Sequence, residues 1–280
     1  MNFQGIPRSA GDVASEIAMS RLNWTGSFLV VEGPSDSKFW RPRKSEFCEI
    51  VIAMGRHQVL GSVQLACDSG MRGVLGIVDD DFDTLLGEPH QVRNVVSTEP
   101  RDLEGTLLRS RALDRVVGEL GDETKLKAFL AREGLLRDAL LSRAGLFGRL
   151  RWLAFTQPKP LDLKPLKPSR FVDLSNWTYD TQAILAEAVR LGLATDVPSL
   201  SATLATLPPK DPWHTCRGHD LIEILAHGFR CVIGSTQVDA DEICSLLRAG
   251  MDDTEFRTGR LWADLSRWEQ DNASYLILRR

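Results

Sequence analysis

At 280 residues, the chain is long enough for about two domains of roughly 150 residues, or for one large α/β domain. A hydrophobic fraction of 43% and a charged fraction of 26% exclude the disordered and collagen-like classes. The formal net charge of −4 provides no global positive field for nucleic acid, so any such surface must come from local charge.

In chain order, Ser9 to Asp12 reads as a helix start, helical spacing runs to about Leu22, and Asn23 to Gly26 reads as a turn. Ser27-Phe28-Leu29-Val30-Val31 is a continuous apolar run that ends in Glu32-Gly33-Pro34-Ser35-Asp36, the pattern of a buried strand passing to a helix near Ser35. A second strand is predicted over 50–53, a helix over 58–67, a third strand over Val74 to Val78 ending in Asp79, and a fourth over 92–96. Helical spacing follows from Asp102. Strands alternating with helices predict βαβ units and a parallel sheet flanked by helices. In such sheets ligands sit beyond the carboxyl ends of the strands.

From about Leu113 the texture turns mainly helical, broken by a Pro- and Lys-containing loop or linker over 157–168, with helical stretches near 182–191, 219–227, 239–248 and 259–269. The expected organisation is therefore a sheet-bearing core over 1–110 and a mainly helical region over 111–280 that returns to the core near 217–235. No internal repeat is visible. Between Lys125 and Arg170, eleven basic residues face three acids, a local charge of +8 against −12 for the rest. Arg149, Arg151, Lys159, Lys164, Lys167 and Arg170 are the residues expected to track phosphates, against the plain alternative of a solvated helical face. Trp152 and Phe155 read either as base-stacking rings or as core. Trp24, Trp40, Trp177, Trp213, Trp262 and Trp268 read as packing, with Trp262 and Trp268 also candidates for a homodimer surface.

Five cysteines without a CxxC pair and a polar N-terminus without a signal-peptide pattern point to a reducing cytoplasm. No apolar run approaches the roughly 20 residues that cross a bilayer, and no membrane partner is expected. His214, Cys216 and His219 are zinc-type ligands, but their spacing matches no common zinc site, even with Cys231 as a fourth.

Three acidic groups each follow an apolar run: Glu32 with Asp36, then Asp79-Asp80-Asp81-Phe82-Asp83, then Asp102 with Glu104. A single Asp at a strand-to-helix junction is ordinarily a cap. Four aspartates within five residues exceed what a helix start uses, and such crowding calls for a cation. An all-oxygen donor set suits Mg²⁺ or Mn²⁺. An EF-hand beginning at Asp79 would need Gly and Glu where Thr84 and His90 stand. A phosphate-receiver domain would place its acidic pair on the first strand, the reverse of the order here.

The ordered set Val31-Glu32-Gly33 with Asp36, then a strand ending in Asp79-x-Asp81, resembles the TOPRIM domain. It is most similar to the TOPRIM of OLD-family nucleases and of the stand-alone effectors of PARIS phage-defence systems. The resemblance spans about residues 27 to 110, with a weaker echo near Gly218-His219-Asp220-Leu221. It implies that Glu32 is the TOPRIM glutamate, that Asp79 and Asp81 are the metal-holding DxD pair, and that Asp36 is the OLD-type extra acid. Asp102 with Glu104 would complete a second metal position, Asp83 is a spare ligand, and Arg217 or His219 stands where those enzymes carry a late catalytic lysine.

The implied activity is metal-dependent phosphodiester hydrolysis in DNA or structured RNA, with toxicity restrained by a separate ABC-type ATPase, since the chain has no GxxxxGK[ST] loop. Only Tyr179 and Tyr275 are present, and the cysteines form no zinc ribbon, which argues against a topoisomerase or a primase. Two alternatives stay open: a non-catalytic nucleic-acid or protein-binding adaptor, and a small-molecule phosphatase with Asp79 as nucleophile.

Overall fold

The computed structural model describes residues 8–235 and 237–280 and divides into two compact units. The first comprises the chain up to Asp80, Glu88–Glu99 and Asp252–Arg280; the second comprises Asp81–Gly87 and Pro100–Met251.

The first unit opens with α1 (Ala10–Arg21), capped reciprocally by Ser9 and Asp12: the Ser9 hydroxyl accepts the Asp12 amide at 3.1 Å and the Asp12 carboxylate accepts the Ser9 amide at 2.8 Å. Strand β1 (Ser27–Val31) is buried along its whole length, as its unbroken apolar run requires. It leads into α2 (Pro34–Trp40), which begins on a proline and buries Phe39 and Trp40. Strand β2 (Cys48–Ile52) starts two residues before the expected position and is part-exposed. Helix α3 (Arg56–Asp68) and the wholly buried β3 (Val74–Val78) follow.

After β3 comes the single turn α4 (Asp83–Leu86), which belongs to the second unit. Strand β4 (Val95–Ser97) is shorter than the apolar run from Val92, because Asn94 takes a left-handed φ of 59° just before it. The four strands are parallel in the order β2-β1-β3-β4, with Val30 paired to both Val51 and Gly76. The chain thus builds outward from β1 on one side and from β3 on the other, and the switch point lies between those two strands. Val13, Ile17, Val59, Val63, Val74 and Val78 share one core cluster that welds α1 and α3 to the sheet. Gly76 is required there, since a Cβ would lie 2.8 Å from Val59 and 3.0 Å from Val63.

The second unit is helical as expected, with α5 (Leu103–Arg109), α6 (Arg111–Leu120), α7 (Glu123–Glu133) and α8 (Leu136–Phe155). After the 3₁₀ turn Pro168–Arg170 and the two-residue antiparallel strands β5 (Val172–Asp173) and β6 (Thr178–Tyr179) come α9 (Thr181–Arg190) and α10 (Val197–Thr206). The unit closes with α11 (Pro212–Thr215), α12 (Gly218–Cys231) and α13 (Ala240–Gly250). Helix α8 buries twelve of its twenty residues and forms the axis of this unit. Its Phe147, Leu150 and Leu153 pack with Leu163, Leu166, Ile184 and Leu200. The Pro-Lys stretch is thus tied down by Leu163 and Leu166 and does not act as a linker.

Helices α14 (Asp253–Phe256) and α15 (Arg260–Asp271) return to the first unit. Phe256 packs edge-on against Phe39 at 5.4 Å, the Ser45 amide donates to the Ile277 carbonyl at 2.7 Å, and the Arg279 amide to the Arg43 carbonyl at 2.8 Å. The division falls before residue 110: Pro100–Met251 belong to one unit, so the 217–235 segment, whose α12 packs on α5, α8 and α13, returns to residues just short of 110 within that unit, while Asp252–Arg280 joins the first unit. Trp268 is buried with its indole N–H on Asn94, and the half-buried Trp262 packs against Phe256. Among the described residues, no helix is long and apolar enough to cross a membrane. All five cysteines are free thiols.

Candidate functional site

Each strand of the sheet ends in a residue that can meet a ligand. β1 runs into Glu32, β3 into Asp79 and β4 into Thr98, and beyond β2 the turn Met54-Gly55, both at positive φ, delivers Arg56 at the start of α3. The Glu32 Oε1 accepts the Asp79 amide at 2.8 Å, across the switch point between β1 and β3. The Glu32 carbonyl in turn accepts the Gly55 amide at 3.0 Å. Thr98 Oγ1 donates to Asp79 Oδ1 at 3.2 Å, and the Arg56 guanidinium donates to the Asp79 carbonyl. The half-buried Asp79 carboxylate is therefore oriented by a hydroxyl, and a cation sits on the backbone carbonyl of the same residue. Arg56 and Thr98 went unnoticed in the sequence, where the signal was a Gly-Arg and a Ser-Thr each following an apolar run.

Asp36 turns its Oδ2 back to the Gly33 amide at 2.8 Å, which is the capping role of a first-turn acid.

In the second unit, Asp81 has a left-handed φ of 50° and donates its amide to the Arg101 carbonyl at 3.1 Å. Such a backbone is tolerated by Asp more than by most residues. Asp83 is half-buried in the single turn of α4. Arg101 is buried, its guanidinium 4.0 Å from the centroid of the Phe82 ring, and burial pulls its pKa below the usual arginine range while Asp102 and Asp81 offset part of that effect.

Asp102 caps two helices at once. Its Oδ1 accepts the Gly105 amide at 2.8 Å in α5, and its Oδ2 accepts the Gly218 amide at 2.7 Å at the start of α12. Any Cβ at Gly218 would collide with Asp102 and Glu104. Glu104, 3% exposed, lies 3.7 Å from His219 Nδ1 and 3.7 Å from Cys244 Sγ. The structure thus brings Asp102 and Glu104 together with the Gly218-His219 echo. His219 itself is 60% exposed at its side chain, and Arg217 holds the N-cap position of α12 without a side-chain cap bond.

Among the described residues, no group of three or more His, Cys, Asp or Glu side chains is arranged to hold a metal ion. The donors at the sheet rim are oxygens only, which matches Mg²⁺ or Mn²⁺ and not zinc. Burial pushes the Cys216 thiol up to about 12, and the Cys231 thiol donates to the His227 carbonyl at 3.0 Å.

The basic segment needs one correction. Arg151, expected on a phosphate-tracking surface, is 8% exposed and forks onto Asp220 at 2.7 and 3.0 Å, with two further N–H groups on the Leu163 and Leu166 carbonyls. It is a core tether, because a buried guanidinium needs all its donors satisfied. Arg170 is exposed but paired with Glu187 at 2.5 Å, and Arg149 donates to the Leu204 carbonyl. Lys159, Lys164 and Lys167 are exposed, the Lys164 ammonium 4.0 Å from Asp162. Trp152 is mostly buried and Phe155 more open.

No protein-family model matches the chain, and no curated protein matches it.

Proposed function

We propose that this chain is a divalent-metal-dependent nuclease with a TOPRIM-like core, hydrolysing phosphodiesters in DNA or structured RNA. The observation that carries the reading is the contact of Glu32 with the Asp79 amide, 2.8 Å apart at the switch point of a parallel sheet, the place where open α/β sheets bind ligands. Glu32 and Asp79 would hold Mg²⁺ or Mn²⁺, and the resemblance makes Asp81 the second acid of the DxD pair. A bound ion supplies a Lewis acid for a phosphoryl oxygen and lowers the pKa of its water. Thr98 fixes the orientation of the Asp79 carboxylate, and Arg56 is the cation suited to orient a phosphate from the same rim. Glu104 and His219 are the acid and imidazole of a second group in the helical unit, to which the resemblance assigns a second cation and charge stabilisation. Asp102 serves as its scaffold.

The same resemblance makes the protein a cytoplasmic toxic effector of anti-phage defence, acting as a homodimer with a separate ABC-type ATPase as its restraint. The test incubates wild type, Glu32→Gln and Asp79→Asn with plasmid DNA and with structured RNA, in Mn²⁺ and in EDTA, and measures Mn²⁺ binding by calorimetry alongside. Cleavage by wild type only in Mn²⁺, reduced about 100-fold or more in both variants together with Mn²⁺ affinity, is the expected result. Equal cleavage by all three proteins would overturn the assignment of residues. Nucleic-acid binding by wild type without cleavage would leave the adaptor in its place, a reading favoured by the engagement of Asp36 and Asp102 as caps.

A further inference from the structure

We propose that a pocket within the helical unit holds an unpaired nucleotide, its base against Trp152 and its phosphate met by Lys210 and Arg149. The pocket has a volume of about 360 Å³, inside the roughly 300–1,000 Å³ range of small-ligand sites. The charged residues lining it, Arg149 and Lys210, are both cations, and no carboxylate lines it. An aromatic wall beside two cations selects a π-system that carries negative charge. An uncharged ring would leave the cations unmatched, and a cationic ligand would be repelled.

The parts are held ready for such a ligand. Phe82 packs edge-on against Trp152, with centroids 5.2 Å apart and planes at 70°, which fixes the plane of the indole. The exposed Lys210 ammonium stands 6.0 Å from the indole centroid, the outer limit of a cation–π contact, so its flexible stem can turn to a phosphate at little loss. Arg149 is anchored through the Leu204 carbonyl. Pro208, Pro209 and Pro212 stiffen the opposite lining, which lowers the entropy lost on binding.

Two glycines on α8 sharpen the inference. A side chain at Gly148 would press on the Thr215 carbonyl carbon and oxygen at 3.0 Å, so helix packing demands that glycine. Gly145 also lines the pocket, yet a Cβ there would meet nothing within 4 Å. A glycine inside a helix lowers its stability, and at Gly145 no packing contact accounts for it. Its effect is to keep the pocket open.

Binding here needs no cation at the sheet rim, so the test is run in EDTA on the full chain. Fluorescence anisotropy of a short labelled single-stranded oligonucleotide is measured for wild type, Gly145→Leu and Lys210→Ala, with free mononucleotides as competitors and melting temperature as the check on folding. Gly145→Leu fills the pocket and is expected to weaken binding about tenfold or more without lowering the melting temperature. Lys210→Ala is expected to weaken it less and to reduce the salt dependence by about one phosphate contact. Competition by a mononucleotide assigns the pocket to free nucleotides, and its absence assigns it to a nucleotide within a strand. Gly145→Leu binding as tightly as wild type, or no binding by wild type, overturns the proposal. Cleavage of DNA or RNA in Mn²⁺ by the same variants reports on the nuclease reading separately.

Discussion

In the sheet unit the acids stand where β1 and β3 run out, each steadied by a backbone amide or a hydroxyl. In the helical unit several cations of the basic segment are turned into the packing, Arg151 most completely. The first arrangement follows from topology: a residue just past the carboxyl end of a parallel strand has only one rim to occupy. The second follows from helix face, and a count of charges along a segment is blind to it. Of the basic residues expected to track phosphates, Lys159, Lys164 and Lys167 are exposed on the Pro-Lys stretch, while Arg151 belongs to the core and Arg170 to an ion pair.

Substitutions sharpen this contrast between interior and rim charge. Asp220→Ala leaves the Arg151 guanidinium buried and uncompensated, and a loss of about 3–5 kcal/mol in urea unfolding is expected. Arg151→Met combined with Asp220→Leu should recover most of it. If Asp220→Ala unfolds like wild type, the pair is not the buried tether described here. Asp102→Ala removes two caps, each worth about 1 kcal/mol, so a loss near 2 kcal/mol is expected, with hydrogen exchange accelerated at the starts of both α5 and α12. A loss confined to one helix would break the double-cap account.

At the rim the expectation reverses. Glu32→Gln keeps an oxygen that can accept the Asp79 amide, so stability should stay within about 0.5 kcal/mol of wild type, while divalent-cation binding is lost. The smallest effect is a pH dependence. Hydrogen bonds from Arg190, then Arg170, hold the Glu187 carboxyl down to about 2, against 4.5 for an ordinary glutamate. Because the folded value is the lower one, the stabilisation is fully present above about pH 4.5 and fades as pH falls toward 2. The difference in urea midpoint between wild type and Glu187→Gln should shrink over that window, and a constant difference would contradict it.

Much of the sheet unit was legible because its signals are local. The unbroken apolar runs of β1 and β3, the Ser9–Asp12 box and the Gly-Pro start of α2 each dictate their own conformation. The end of the chain was misassigned because nothing within 252–280 announces its partner. Its place is set by long-range bonds such as the Ser45 amide to the Ile277 carbonyl. The acids were found from their position after strands, where Asp36 and Asp102 also accept capping amides, since the same residue type at the same junction serves both purposes. Arg56 escaped notice because a Gly-Arg after an apolar run is too common to single out, and the registers of β2 beside β1 and of β1 beside β3 together bring it to Asp79.

The most direct measurement is anomalous diffraction from crystals soaked in Mn²⁺. A single strong peak within coordination distance of the Glu32 and Asp79 carboxylate oxygens, gone in Glu32→Gln crystals soaked alike, is expected. Manganese bound elsewhere in wild type, or retained unchanged in the variant, would contradict the assignment of the sheet rim as a metal site.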